Sequence, residues 1–212
     1  MLRFVGSRPN VTLAVKRLIQ DLARRLPELE HVKVSRILVV AGEARRTSRA
    51  TIRPAHFGAT RKRAAGSGGP TKPLVRVKGR KILYIITLRP LWFLASTPEQ
   101  RIGTILHELY HASTRFDGTL HRGRRHSRLP VGRYNQKIRR LLRRYLAQAT
   151  ADVITPFAHE GEVRARMWLE RPSSFRGKEY AGRRTYTESQ LFYGVVRMGA
   201  RPPQLRRGEP KG

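Results

Sequence analysis

Apolar residues recur every three or four positions between residues 11 and 26, at Val15, Leu18, Ile19, Leu22 and Leu26. This spacing predicts an amphipathic helix with Asn10 as its N-cap and Pro27 as its stop. The period then shortens to two. Val32, Val34, Ile37 and Val39 predict a strand, with one irregularity near Ser35 and Arg36. A second strand is expected around residues 50–53. Residues 57–73 mix Gly, Pro, Ser and basic side chains, which predicts a loop or a hairpin tip. Two short strands follow around a Lys-Gly turn, and residues 82–88, the more apolar, are expected inside the sheet.

The helix expected next is the best marked in the chain. Thr97 is placed to cap it, Pro98 suits its first position and Gln100 completes a capping box. Ile102, Ile105, Leu106 and Leu109 form its apolar stripe. A polar loop, residues 113–132, leads to another amphipathic helix. There Tyr134, Ile138, Leu141, Leu142, Tyr145 and Leu146 face inward, and Arg139, Arg140, Arg143 and Arg144 face out. Beyond residue 150 the character changes: residues 162–172 alternate like a strand, and 184–198 read as a strand or a short helix. The expectation is an α+β fold, a small mixed sheet packed on helices. Residues 1–150 would form the main domain and 151–212 a small basic, partly β extension.

Composition narrows the chemistry. The chain has 212 residues and no cysteine, so disulfides, thiolate metal sites and cysteine nucleophiles are excluded. Any zinc must be held by His, Asp or Glu. No apolar run approaches ~18 residues, the length of a membrane span, and the N-terminus is too polar for a signal peptide. A cytoplasmic protein with no membrane partner is expected. The net charge is +31, carried by 36 Arg and 9 Lys against 14 acidic residues. A field of this sign attracts polyanions, nucleic acid first, and Arg adds bidentate phosphate binding and stacking.

The stretch from His107 to His111 reads His-Glu-Leu-Tyr-His on the best-marked helix. Residues four apart lie one turn apart on the same face, so both imidazoles can reach one zinc ion. Glu108 stands about 100° round the axis from His107, beside the metal, where it can take a proton from a metal-activated water. A catalytic zinc needs a third protein ligand. His121 and His126 are the candidates, with Asp117 and Glu160 weaker ones. Asp117 and Gly118 also read as a turn after Phe116.

The helix ending in HELYH, followed by FDGTLHRGRRH and a further helix, resembles the SprT-like (Spartan-like) and phage-type zinc metallopeptidases. The resemblance covers about residues 30–150. It implies a minimal zincin-like domain, a peptide or protein substrate, and peptide-bond hydrolysis with Zn2+ as cofactor. It also implies that the third ligand is a histidine just before the next helix, which selects His126 and leaves His121 as the alternative. The DNA-dependent activity of Spartan-like enzymes makes DNA a more strongly expected partner than RNA. Arg122, Arg124, Arg125, Arg139, Arg140, Arg143 and Arg144 are the candidate contacts. The cysteine zinc ribbon of many SprT-like proteins is absent here. In the tail, Trp168, Tyr180, Tyr186 and Phe192 could stack on single strands, although Trp168 and Phe192 read first as core residues. The competing function is a basic nucleic-acid-binding protein with a non-catalytic or structural metal site. A phage or mobile-element packaging protein, with residues 57–73 and 201–212 as arms, is a third.

Overall fold

The computed structural model describes residues 8–42, 48–56, 71–124, 131–174 and 182–198. Helix α1 spans Val11–Arg25, and the Asn10 side chain accepts from the Leu13 N–H at its start. Its apolar stripe, Val15, Leu18, Ile19 and Leu22, is fully buried. The strand expected from residue 32 starts later. Val34–Arg36 form a 3-10 turn, and β1 runs Ile37–Ala41 with every residue buried. Val32 is buried in the main core without belonging to a strand.

The other strands are β2 (Ala50–Pro54), β3 (Leu74–Val77), β4 (Arg80–Lys81) and β5 (Tyr84–Leu88). The single strand expected over 82–88 is thus shorter. Arg80–Lys81 pair with β3 in a separate small sheet, and only Tyr84–Leu88 enter the main one. Lys78 and Gly79 make the turn between β3 and β4, both at positive φ. A short helix that the sequence reading did not foresee, α2 (Pro90–Leu94), precedes α3 (Pro98–Tyr110). Helices α4 (Val131–Leu146) and α5 (Ala151–Ile154) lead to β6 (Gly161–Trp168), β7 (Thr185–Tyr186) and β8 (Leu191–Met198). Segment 184–198 therefore resolves mainly as strand.

The main sheet has the order β2-β5-β1-β6-β8. β1 runs parallel to β5 and β6, while β2 and β8 run antiparallel to their neighbours. One core lies between this sheet and α1, α3 and α4. A smaller cluster, Leu38, Val40, Val75, Val77, Ile82 and Tyr186, covers the other face beneath the sheet β4-β3-β7. The division expected at residue 150 does not coincide with a break in the sheet. β6 and β8 extend it, and Phe157, Val163, Ala165 and Met198 sit in the main core. Arg101 on α3 is buried and donates to the carbonyls of Leu94, Phe157 and His159, which ties the segment after α5 to α3.

Candidate metal centre

The capping box predicted at Thr97 is present: Thr97 Oγ1 accepts from the Gln100 N–H, and Gln100 Oε1 accepts from the Thr97 N–H. α3 then runs unbroken to Tyr110, so His107 and His111 lie one turn apart at its C-terminal end. Their Nε2 atoms are 3.2 Å apart. The carbonyl of Arg124 lies 2.7 Å from His111 Nδ1. A carbonyl can only accept, so Nδ1 carries the proton, and in the neutral ring Nε2 keeps its lone pair. Two half-buried imidazoles thus bring their Nε2 atoms together at one point, which is what a shared cation requires.

Tyr134 on α4 packs against both rings. It is buried, stacks on His111 at 5.2 Å and 11°, and meets His107 edge-on at 4.9 Å. Its hydroxyl donates to the His107 carbonyl at 3.2 Å and lies 3.3 Å from His111 Nε2. The hydrophobic pattern marked Tyr134 only as an inward residue. The missed signal was its hydroxyl, which needs a partner once buried.

Glu108 is 9% exposed, and its Oε2 accepts from the Ile52 N–H of edge strand β2 at 2.7 Å. Burial pushes its carboxyl up to about 8, against the opposing pull of that N–H. Glu108 therefore bridges α3 and the sheet edge.

The segment after α3 folds back as the sequence suggested. Asp117 Oδ1 accepts from the backbone and hydroxyl of Thr119, and Gly118 takes a φ of 89°. Tyr84 secures this turn: its hydroxyl donates to the Thr119 carbonyl and accepts from the Gly118 N–H. Asp117 is thus exposed and occupied in a turn. The returning chain docks on the end of α3 through His121 N–H to His111 carbonyl, at 2.9 Å. Arg124 completes the dock, with its guanidinium 3.9 Å from the Tyr110 ring centroid and donating to the Tyr110 carbonyl.

The sequence-predicted residues separate accordingly. His107, Glu108 and His111 come together. Among the described residues no third His, Asp or Glu joins them in a cluster able to hold a metal. His121 is adjacent in the chain path, and its Nδ1 is buried without a partner among the described residues. Burial first, then the Arg124 guanidinium, hold its imidazole below the ordinary range. His126 and Arg125 lie outside the described residues, as do Tyr180 and nearly all of the two basic arms. Glu160 is exposed. Arg122, Arg139, Arg140 and Arg143 are exposed, whereas Arg124 serves the dock and Arg144 pairs with Glu28. Trp168 packs on the smaller core beside buried Tyr186, but Phe192 stands 44% exposed, against its core reading.

No described helix is long and apolar enough to cross a membrane. No curated protein and no solved structure matches this chain. A family model described as "Putative phage metallopeptidase" matches residues 10–144, from the N-cap of α1 to the last turn of α4. That description points to a metal-dependent peptidase, and the match takes in every element around the two histidines. With well over half of its residues matched, the chain belongs to the putative phage metallopeptidase family.

Proposed function

We propose that this chain is a zinc-dependent peptidase that works on or near nucleic acid. His107, His111 and His126 hold the metal, with His121 as the alternative third ligand, and Glu108 is the general base. One observation carries the reading: the Nε2 atoms of His107 and His111 stand 3.2 Å apart. Two nitrogens bound to a tetrahedral zinc at about 2.0–2.1 Å are roughly 3.3–3.4 Å apart, so the pair fits that ion. The Arg124 carbonyl on His111 Nδ1 supports the same conclusion, because metal-bound histidines usually donate their other ring N–H to such a partner. His126 follows that carbonyl by two residues and precedes α4, on which Tyr134 braces both rings.

Zinc, when bound, supplies Lewis acidity that makes water ionisable near neutral pH and polarises a carbonyl. The chain's own residues do the rest. Glu108 takes the proton of the attacking water and delivers it to the departing amine, which becomes a neutral amino terminus. The Ile52 N–H holds Glu108 Oε2, so the carboxyl keeps one orientation through both transfers. The +31 charge, with exposed Arg139, Arg140 and Arg143 on α4, favours a polyanion close to this site, DNA before RNA.

Metal content and protein cleavage, measured together, test the proposal. The wild type should bind one zinc per chain and cleave a denatured protein in a chelator-sensitive way. Glu108→Gln should keep its zinc and lose roughly 10²–10⁴-fold in rate. His126→Ala should lose zinc and His121→Ala keep it; the reverse result makes His121 the ligand. A zinc-free wild type that binds nucleic acid unchanged by His107→Ala and His111→Ala would replace the peptidase with a non-catalytic binding protein.

A further inference from the structure

The outer part of the main sheet carries a surface that the peptidase reading does not use. Along β6, Arg164 and Arg166 point to the same face, since residues two apart in a strand share a side. In register across from them on β8 stand Val195 and Tyr193. Arg197 continues the same face of β8. The guanidinium carbons of Arg164 and Arg166 lie 5.3 and 5.2 Å from the Tyr193 ring centroid, and Arg166 also donates to the Tyr193 hydroxyl. Tyr193 is 39% exposed and Val195 is 52% exposed. The nearby acids are engaged: Glu162 pairs with Arg8, and Glu188 accepts from the Lys78 N–H.

Cations outnumber acids around this strip, although Glu162 stands across from Arg197 and Glu188 lies near Arg166 and Lys78. Lys16 is held below its ordinary range by burial first, and then by the like charges of Arg166 and Lys78. Cations gathered this way repel one another until an anion joins them. Arginines on a sheet edge can also serve to discourage edge pairing. That explanation does not reach Arg164 and Arg166, because β6 is already covered by β8.

We propose that this face of β6 and β8 is a docking strip for single-stranded nucleic acid. Phosphates meet Arg164, Arg166 and Arg197, and a base meets Tyr193. Residues two apart on a strand stand about 6.7 Å apart, so both β6 arginines can follow one extended backbone. The aromatic ring decides for a single strand: a duplex keeps its bases stacked on one another, whereas a single strand offers a free base face. The proposal deepens the nucleic-acid half of the function above and is independent of its peptidase half.

Fluorescence anisotropy with labelled oligo-dT, oligo-U and a DNA duplex tests it, across a salt series. Arg164→Gln/Arg166→Gln/Arg197→Gln, Tyr193→Leu and, on α4, Arg139→Gln/Arg140→Gln/Arg143→Gln are compared after thermal melts show them folded. The strip triple variant should flatten the dependence of log affinity on log salt by about 2, at roughly 0.7 per single-strand phosphate contact. Tyr193→Leu should weaken single-strand binding about tenfold, the loss of one stack, and leave the duplex unaffected. Oligo-dT and oligo-U losing affinity alike would assign the strip to either nucleic acid. Wild-type binding lost only with the α4 variant overturns the strip and keeps the nucleic-acid reading. Equal loss for duplex and single strand, with no effect of Tyr193→Leu, overturns the single-strand assignment. A wild type that binds neither overturns both.

Discussion

Tyr134 shows how much one hydroxyl can do at this site. It donates to the His107 carbonyl and its ring lies flat on His111. Removing the hydroxyl leaves the ring packing intact but frees the turn of α3 that carries both histidines. Tyr134→Phe should cost about 1 kcal/mol in denaturant unfolding, the net worth of one hydrogen bond. It should also weaken zinc binding by roughly tenfold, the low end for groups that orient metal-binding histidines. Competition with a chromophoric chelator reads the second effect. An unchanged affinity would make Tyr134 a core residue only. The same residue marks a limit of sequence reading. That His107 and His111 come together was legible, because a spacing of four on a helix puts two side chains on one face. Tyr134 was not, since nothing in the chain between 111 and 134 states that α4 crosses the end of α3.

At the scale of elements, Asp21 joins α1 to α4. It is 4% exposed and accepts from the Tyr145 hydroxyl, Arg24 and Arg25. Burial alone would raise its carboxyl, but the hydrogen bonds from Tyr145, Arg24 and Arg25 outweigh burial and hold it below the usual range. A group depressed in the folded state contributes stability above its unfolded value, near ~3.9, and loses that contribution as pH falls through the folded value. Asp21→Asn should therefore be less stable at pH 7, by about 1.5–3 kcal/mol for hydrogen bonds to a charged group. Its stability should also fall less than that of the wild type between pH 5 and pH 3. Urea melts at both pH values decide: parallel losses would remove Asp21 as the source of acid sensitivity. Helices α1, α3 and α4 were all legible, because each states its caps or its apolar stripe locally. The strand expected at Val32 and Val34 was not there. Two valines spaced by two mimic a strand, yet Val34 starts a 3-10 turn and the β5 ladder begins only at Ile37. Whether an alternating run joins a sheet depends on a distant partner, here Tyr84–Leu88, that periodicity does not name.

The whole molecule turns on what lies beyond residue 150. Composition separates that part from the rest, and the family match ends before it, at residue 144. Yet β6 pairs with β1 at Met167 and Ala41, the Arg164 N–H reaches the Pro9 carbonyl, and the Arg166 N–H reaches the Thr12 hydroxyl. Phe157, Val163 and Met198 are 0–2% exposed within the main core. Each such side chain contributes roughly 1.5–3 kcal/mol when fully buried, and a domain's entire stability is about 5–15 kcal/mol. Losing all three, together with the hold of Arg101 on the carbonyls of Phe157 and His159, removes an amount comparable with the whole. A chain ending at residue 150 should therefore lack a cooperative thermal transition and bind zinc weakly, because α3 loses part of its support. Far-UV circular dichroism melts and metal content of the shortened and full chains measure both. A sharp transition with full zinc in the shortened chain would make residues 151–212 a separable extension. It would also imply that β6 and β8 lean on the peptidase core without supporting it.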